Sequence, residues 1–192
     1  TGMVVECGAG ITSVVPVFEG LALTHAVIGM DYGGQDITAN FRKTLNDHNY
    51  PIDFSDARML KEKMASVYVP SKEVVFQGAA DTRQFELPDG TQVKVPQRVF
   101  TDCAEPLFRN DRSFPSGLIQ QAYEALWLCD DSIRKDLSHN IVVAGGTSML
   151  PGLSDRLAVE LQQRISGDAK ASKSVHTADV RVVPNSKYRY VG

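Results

Sequence analysis

Residues 4–17 read VVECGAGITSVVPV: two apolar, β-branched runs separated by a turn with two glycines, Gly8 and Gly10. β-branched runs of this length on either side of such a turn predict two paired strands, over residues 2–6 and 11–17. A lone carboxylate, Glu6, closes the first strand. The turn has two readings: a simple hairpin, or a loop whose bare backbone amides grip an anion. A second stretch, residues 141–152, reads IVVAGGTSMLPG and raises the same question. A buried strand ends there in Gly145-Gly146 before a helix begins, where missing Cβ atoms let a ligand approach the backbone. The plain alternative is a tight strand-to-helix turn. In open α/β sheets, ligands favour the carboxyl ends of strands.

Working outward, residues 36–45 carry Ile37, Phe41 and Leu45 at helical spacing, with Asp36 as the expected cap. Residues 55–67 predict a second helix with an apolar face of Met59, Leu60, Met64 and Val67. Residues 85–95 alternate about Pro88-Asp89-Gly90 and predict a hairpin. A helix over 116–129 turns Leu118, Ile119, Ala122, Ala125, Leu126 and Cys129 inward, and a short one covers 133–137. Residues 151–165 predict a helix lined by Leu153, Leu157, Leu161 and Ile165, with Pro151 in its first turn. After a polar loop over 166–178, residues 180–183 form a last strand. Strands and helices alternate at both ends around a helix-and-hairpin insert. The expected fold class is therefore α/β, a core built from the two ends with a smaller inserted lobe.

Composition bounds the function. The 192 residues are 43% hydrophobic and 22% charged, ordinary for a globular chain. A net charge of -3 gives no reason to expect nucleic acid or an anionic membrane as partner. No apolar run reaches the length of a membrane span. The 3 cysteines, Cys7, Cys103 and Cys129, form no CxxC pair, and with 4 scattered histidines they give neither zinc spacing nor a disulfide framework. Free thiols in a reducing compartment are therefore expected, and Cys7 in the glycine turn, with no base beside it, is not expected to be a catalytic thiol. The chain opens on Thr1-Gly2-Met3-Val4-Val5, already patterned as a buried strand, so it is expected to be an excised piece of a longer protein.

The ordered motifs resemble the actin superfamily. VVECGAGITSVVPVFEGLAL is similar to the second phosphate-loop hairpin of actin, and IRKDLSHNIVVAGGTSMLPGLSDRL to its adenosine-binding segment. Between them Gly33-Gly34-Gln35-Asp36-Ile37-Thr38, Leu60-Lys61-Glu62-Lys63-Met64 and Glu86-Leu87-Pro88-Asp89-Gly90 fall in the family's order, and Pro184-Asn185-Ser186-Lys187-Tyr188 resembles its tail. The resemblance implies one half of an actin-like ATPase domain, the C-terminal half. Its ribonuclease H-like core would be residues 1–32 and 113–192, similar to actin subdomain 3. The inserted lobe would be residues 33–112, similar to subdomain 4.

The resemblance also implies a nucleotide jaw for ATP or ADP with Mg. Amides of Gly8, Ala9 and Gly10 would hold the terminal phosphates, and Glu6 would reach the metal through water. Lys61 and Glu62 would meet base and ribose, Gly146, Thr147, Met149 and Leu150 would wall the adenosine, and the Lys187 stem would lie against adenine. Actin's loop reads Asp-Ser-Gly-Asp-Gly. Here Glu6 is one methylene longer, Ala9 removes a carboxylate, and Ser13 replaces a histidine near the attacking water. Binding is thus better supported than hydrolysis: a weak or absent ATPase in the complete protein and none in this chain alone. The loop Phe108-Arg109-Asn110-Asp111-Arg112-Ser113-Phe114-Pro115 stands where actin carries an apolar filament plug, and its charges disfavour efficient polymerisation. Expected partners are the N-terminal half of the same fold, other actin-family subunits, or a multiprotein complex, with no direct nucleic acid or membrane partner. A cytoplasmic, cytoskeletal location is implied, with a nuclear one open. The alternative is a non-catalytic scaffold subunit of a chromatin-remodelling or dynein-activating assembly.

Overall fold

The computed structural model describes residues 1–71, 82–86, 90–109, 116–168 and 179–184. The VVECGAGITSVVPV stretch forms the antiparallel pair β1 (Gly2–Cys7) and β2 (Thr12–Phe18), in register from Gly2 opposite Val17 to Cys7 opposite Thr12. Along β1 the side chains of Met3, Val5 and Cys7 are buried, and Val4 and Glu6 point to the other face, the period-2 alternation of a strand. Two short strands escape the sequence pattern. They are β3 (Leu21–Ala22), which pairs with the end of β2, and β4 (Ile28–Met30), which pairs with its beginning.

Helix α1 (Gly34–Asp47) buries Ile37, Phe41 and Leu45 completely, as their spacing of four requires. It starts earlier than the sequence suggests. Asp36 caps it from inside the first turn, accepting a hydrogen bond from the Gly33 N–H at 2.8 Å. Helix α2 (Phe54–Met64) is capped by Asp53, which accepts from the Asp56 N–H at 2.7 Å. It ends at Met64, short of Val67. Val67 is buried instead because its N–H donates to Pro151 O at 2.8 Å, placing it against the opposite wall.

The hairpin β5 (Thr82–Glu86) and β6 (Gln92–Pro96) pairs Phe85 with Val93, and α3 (Val99–Asp102) follows. The turn expected at Pro88-Asp89 lies outside the described residues, as do 110–115 of the plug loop, 169–178 of the polar loop and the Lys187 tail. Phe100, on α3, joins α1 to the hairpin, with ring centroids 5.6 Å from Phe41 and 5.9 Å from Phe85.

Helix α4 (Leu118–Trp127) packs beneath β2 and α5 (Asp131–His139) beneath β1. Strand β7 (Ile141–Ala144) then enters parallel to β1, Met3 opposite Ile141. Helix α6 (Leu153–Ser166) returns the chain to β8 (Val182–Val183), parallel to β7. Pro151 is not in the first turn of α6, contrary to the sequence expectation. Gly152 caps that helix at φ 89°, and Pro151 ends the turn before it.

The main sheet thus runs β3-β2-β1-β7-β8, with β4 also on β2. Antiparallel strands at one side and parallel crossover strands at the other define a mixed α/β fold, and one cluster of buried side chains runs from β1 through α1 to α6. No helix among the described residues is long and apolar enough to cross a membrane.

Candidate functional site

The two glycine turns meet. Thr147, in the turn after β7, donates its hydroxyl to Gly8 O at 2.7 Å, joining residues 139 positions apart. Gly145 makes the approach possible. It sits at φ 87°, and a Cβ there would lie 2.2 Å from Cys7 O and 2.5 Å from Cys7 C. Only glycine fits both the positive φ with extended ψ and the contact.

The same turn docks on the start of α1. Gly8 O accepts the Gly34 N–H at 3.0 Å, and Ala9 O accepts the Gln35 N–H at 2.7 Å. Two of the first-turn donors that a helix leaves unpaired are satisfied in this way. Gly33 allows it, since its Cβ would fall 2.6 Å from Ala9 O. The N–H of Gly8 closes the hairpin onto Ile11 O at 2.9 Å, so that amide is already committed. Those of Ala9 and Gly10, on the exposed tip of the turn, donate to no backbone carbonyl among the described residues.

Beside this junction opens a groove of about 680 Å³. Ala9, Gly146 and Thr147 line one end, and Met149, Leu150 and Pro151 form an apolar wall. Lys61 and Glu62 look across from α2. Lys61 is 7% exposed, and its Nζ reaches one carbonyl, Gly34 O, at 3.4 Å. Burial chiefly lowers its pKa, and the Arg58 charge adds to that, while Glu62 and Cys103 oppose it. Glu62 is exposed and paired with Arg58 at 2.9 Å, one helical turn earlier. A Cβ on Gly146 would have nothing within 4 Å and would project into open space. Seven of the residues singled out from sequence therefore share one groove: Ala9, Lys61, Glu62, Gly146, Thr147, Met149 and Leu150.

Glu6 stands apart from the groove lining. It is exposed at the end of β1, opposite Ser13 in the hairpin and Ala144 on β7. No cluster of three His, Cys, Asp or Glu residues that could hold a metal occurs among the described residues. Sequence reasoning missed Gly34, Gln35, Thr38, Phe54 and Arg58 as groove residues. The Gly33-Gly34 pair was a usable signal, because consecutive glycines at a helix start invite close backbone contact. Cys7 is fully buried, and desolvation pushes its thiol up to about 12, which fits an inert packing residue in the turn.

A mixed sheet of this order, carrying its turns at the ends of β1 and β7, belongs to the α/β class expected of an actin-like ATPase domain half. The family model described as Actin matches residues 1–66 and, in a second match, 53–187. The chain belongs to the actin family.

Proposed function

We propose that this chain forms one wall of an adenine-nucleotide cleft in an actin-family protein of the cytoskeleton, which binds ATP or ADP with Mg and hydrolyses ATP weakly or not at all. The hydrogen bond from Thr147 to Gly8 O carries this reading, because it brings two glycine turns to one end of a single groove. The groove suits the ligand. The Ala9 amide, with that of Gly10 beside the groove lining, is a donor for phosphate oxygens, Lys61 is a buried cation whose one hydrogen bond among the described residues is long, and Gly146 leaves open the space a Cβ would take. Met149, Leu150 and Pro151 offer apolar surface to a nucleoside. Lys187 would complete that side from beyond the described residues.

A bound Mg would neutralise phosphate charge, and it usually keeps several waters, so one protein carboxylate such as Glu6 suffices to orient it. Weak hydrolysis follows from Ala9 and Ser13. Neither side chain accepts a proton near neutral pH, and a positioned base is worth about 10²- to 10⁴-fold.

Residues 1–32 and 113–192 would be the core and residues 33–112 the inserted lobe. Both ends of the chain contribute strands to the main sheet, whereas α1 packs on α2 and α3, and α3 on β6. The companion half of the fold would supply the second wall. A row of valines across the exposed face of the sheet, Val15, Val4, Val142 and Val183, suits such a partner. Val183 remains 43% exposed there. Losing two or three charge-assisted hydrogen bonds with that wall would cost several kcal/mol, on the order of a thousandfold in affinity. The 192 residues alone are therefore expected to bind Mg-ATP weakly or not at all, and micromolar binding by titration calorimetry would contradict this.

A second reading, a scaffold subunit of a larger complex, is favoured by Ala9, Ser13 and the charged plug loop with its exposed Arg109. Phosphate release and ATP binding by the complete protein separate the two. Saturable binding with release near background supports the first reading, no binding leaves the scaffold, and rapid turnover refutes weak hydrolysis. Robust pelleting with Mg-ATP would refute the expectation of poor polymerisation.

A further inference from the structure

Phe54 is the first residue of α2 and is 40% exposed. The buried face of that helix is Ala57, Leu60 and Lys61, and Phe54 is not among the buried residues of the core. It lines the groove, and also a second recess beside Ala39, Arg42 and Lys43 of α1. Arg58 follows four residues later and Glu62 four after that, so the three occupy one stripe of the helix facing the same cavity. Asp53 fixes the backbone beneath the ring by capping the helix. The stripe therefore runs from an aromatic face at the start of α2 to the Arg58–Glu62 pair, and the turn-borne amides of Ala9 and Gly10 lie on a different element.

We infer that Phe54 is the stacking platform for the nucleobase, an affinity-determining residue of the groove; this rests on the nucleotide reading above. An aromatic ring in a groove wall accepts a base by stacking, worth roughly 10- to 100-fold in affinity per base. Arg58 extends the surface as a planar guanidinium, which also stacks on base faces. The apolar wall of Met149, Leu150 and Pro151 adds area without reading the base edge. Phe54 is thus assigned to holding the base, and the glycine turns to the phosphates.

The test measures ATP affinity of the complete protein, as wild type and as Phe54→Ala, Phe54→Leu and Phe54→Tyr, together with quenching of bound 1,N6-etheno-ATP fluorescence. The ring is exposed at a helix start, so none of the three should shift the urea unfolding midpoint appreciably. Phe54→Ala and Phe54→Leu are expected to weaken ATP roughly 10- to 100-fold and relieve the quenching, and Phe54→Tyr to retain both. Wild type that binds ATP while Phe54→Leu binds equally well overturns the stacking role but leaves the nucleotide site intact. Wild type that binds no ATP removes the site and this inference together.

Discussion

Replacing Gly145 and Gly146 by alanine, one at a time, should separate the architecture of the groove from its use. At Gly145 the new methyl would meet Cys7 O at 2.2 Å, a backbone atom of β1 that cannot swing aside, and the residue would be held at φ 87°. A positive φ with extended ψ, a conformation essentially glycine's alone, costs about 1–3 kcal/mol for an L-residue, and overpacking against backbone about 1–3 kcal/mol more. A total near 3 kcal/mol is a large share of the roughly 5–15 kcal/mol that holds a domain folded. With a urea slope of about 1–3 kcal/mol per molar, the unfolding midpoint should fall by roughly 1–3 M at unchanged slope. At Gly146 the methyl meets nothing within 4 Å. Stability should stay within about 0.5 kcal/mol of wild type. Nucleotide affinity should drop, because the methyl projects into the groove. Urea unfolding followed by circular dichroism, paired with ATP titration of the complete protein, reads both effects. Equal midpoints for Gly145→Ala and wild type, or a larger stability loss at Gly146, would refute the geometry of the junction.

Lys61→Met should be more stable than wild type near neutral pH, because the native state disfavours the buried ammonium. The cost of that charge is fully present below the lowered native pKa and fades as pH rises through it toward the unfolded value of about 10.4. The gap should therefore narrow on raising the pH toward 10, and a pH-independent gap in urea midpoints would contradict it. Arg156 binds Glu105 through two nitrogens, at 2.5 and 3.2 Å, binds Glu160 at 2.7 Å and covers the Phe108 ring at 4.1 Å. Arg156→Ala strands two half-buried carboxylates and should cost about 3 kcal/mol by urea unfolding; a loss below about 0.5 kcal/mol would show that the cluster is dispensable. All cysteines are buried, and desolvation pushes Cys7 and Cys103 up to about 12, so none should be alkylated by iodoacetamide at pH 8 before unfolding. Rapid labelling of even one thiol in the native protein would overturn that.

Periodicity made the long elements legible. Ile37, Phe41 and Leu45 on α1, and Leu153, Leu157, Leu161 and Ile165 on α6, all bury completely, as their spacing says. The glycine turns were visible too, because few residue types allow close backbone approach. Strands β3 and β4 were not visible, since two or three residues carry no measurable alternation and exist only through pairing with β2. Val67 continued the apolar pattern of α2 and so extended it wrongly, its burial coming from Pro151 rather than from the helix. Pro151 suggested a helix start by residue type, whereas the left-handed cap at Gly152 decides it. Phe54 and Arg58 escaped as groove residues because facing a cavity depends on what stands opposite, and local sequence does not record that.

The tie between Val67 and Pro151, at 2.8 Å, has a mechanical consequence when set beside the bonds from Gly34 and Thr147 to Gly8. Both rims of the recess are riveted, one at each end, so its width is set during folding instead of by its guest. An occupant then has little chain to organise on arrival, which removes an entropic toll that looser sites incur. If the proposed companion half closes over this one, the motion is that half's, and this wall serves as the anvil.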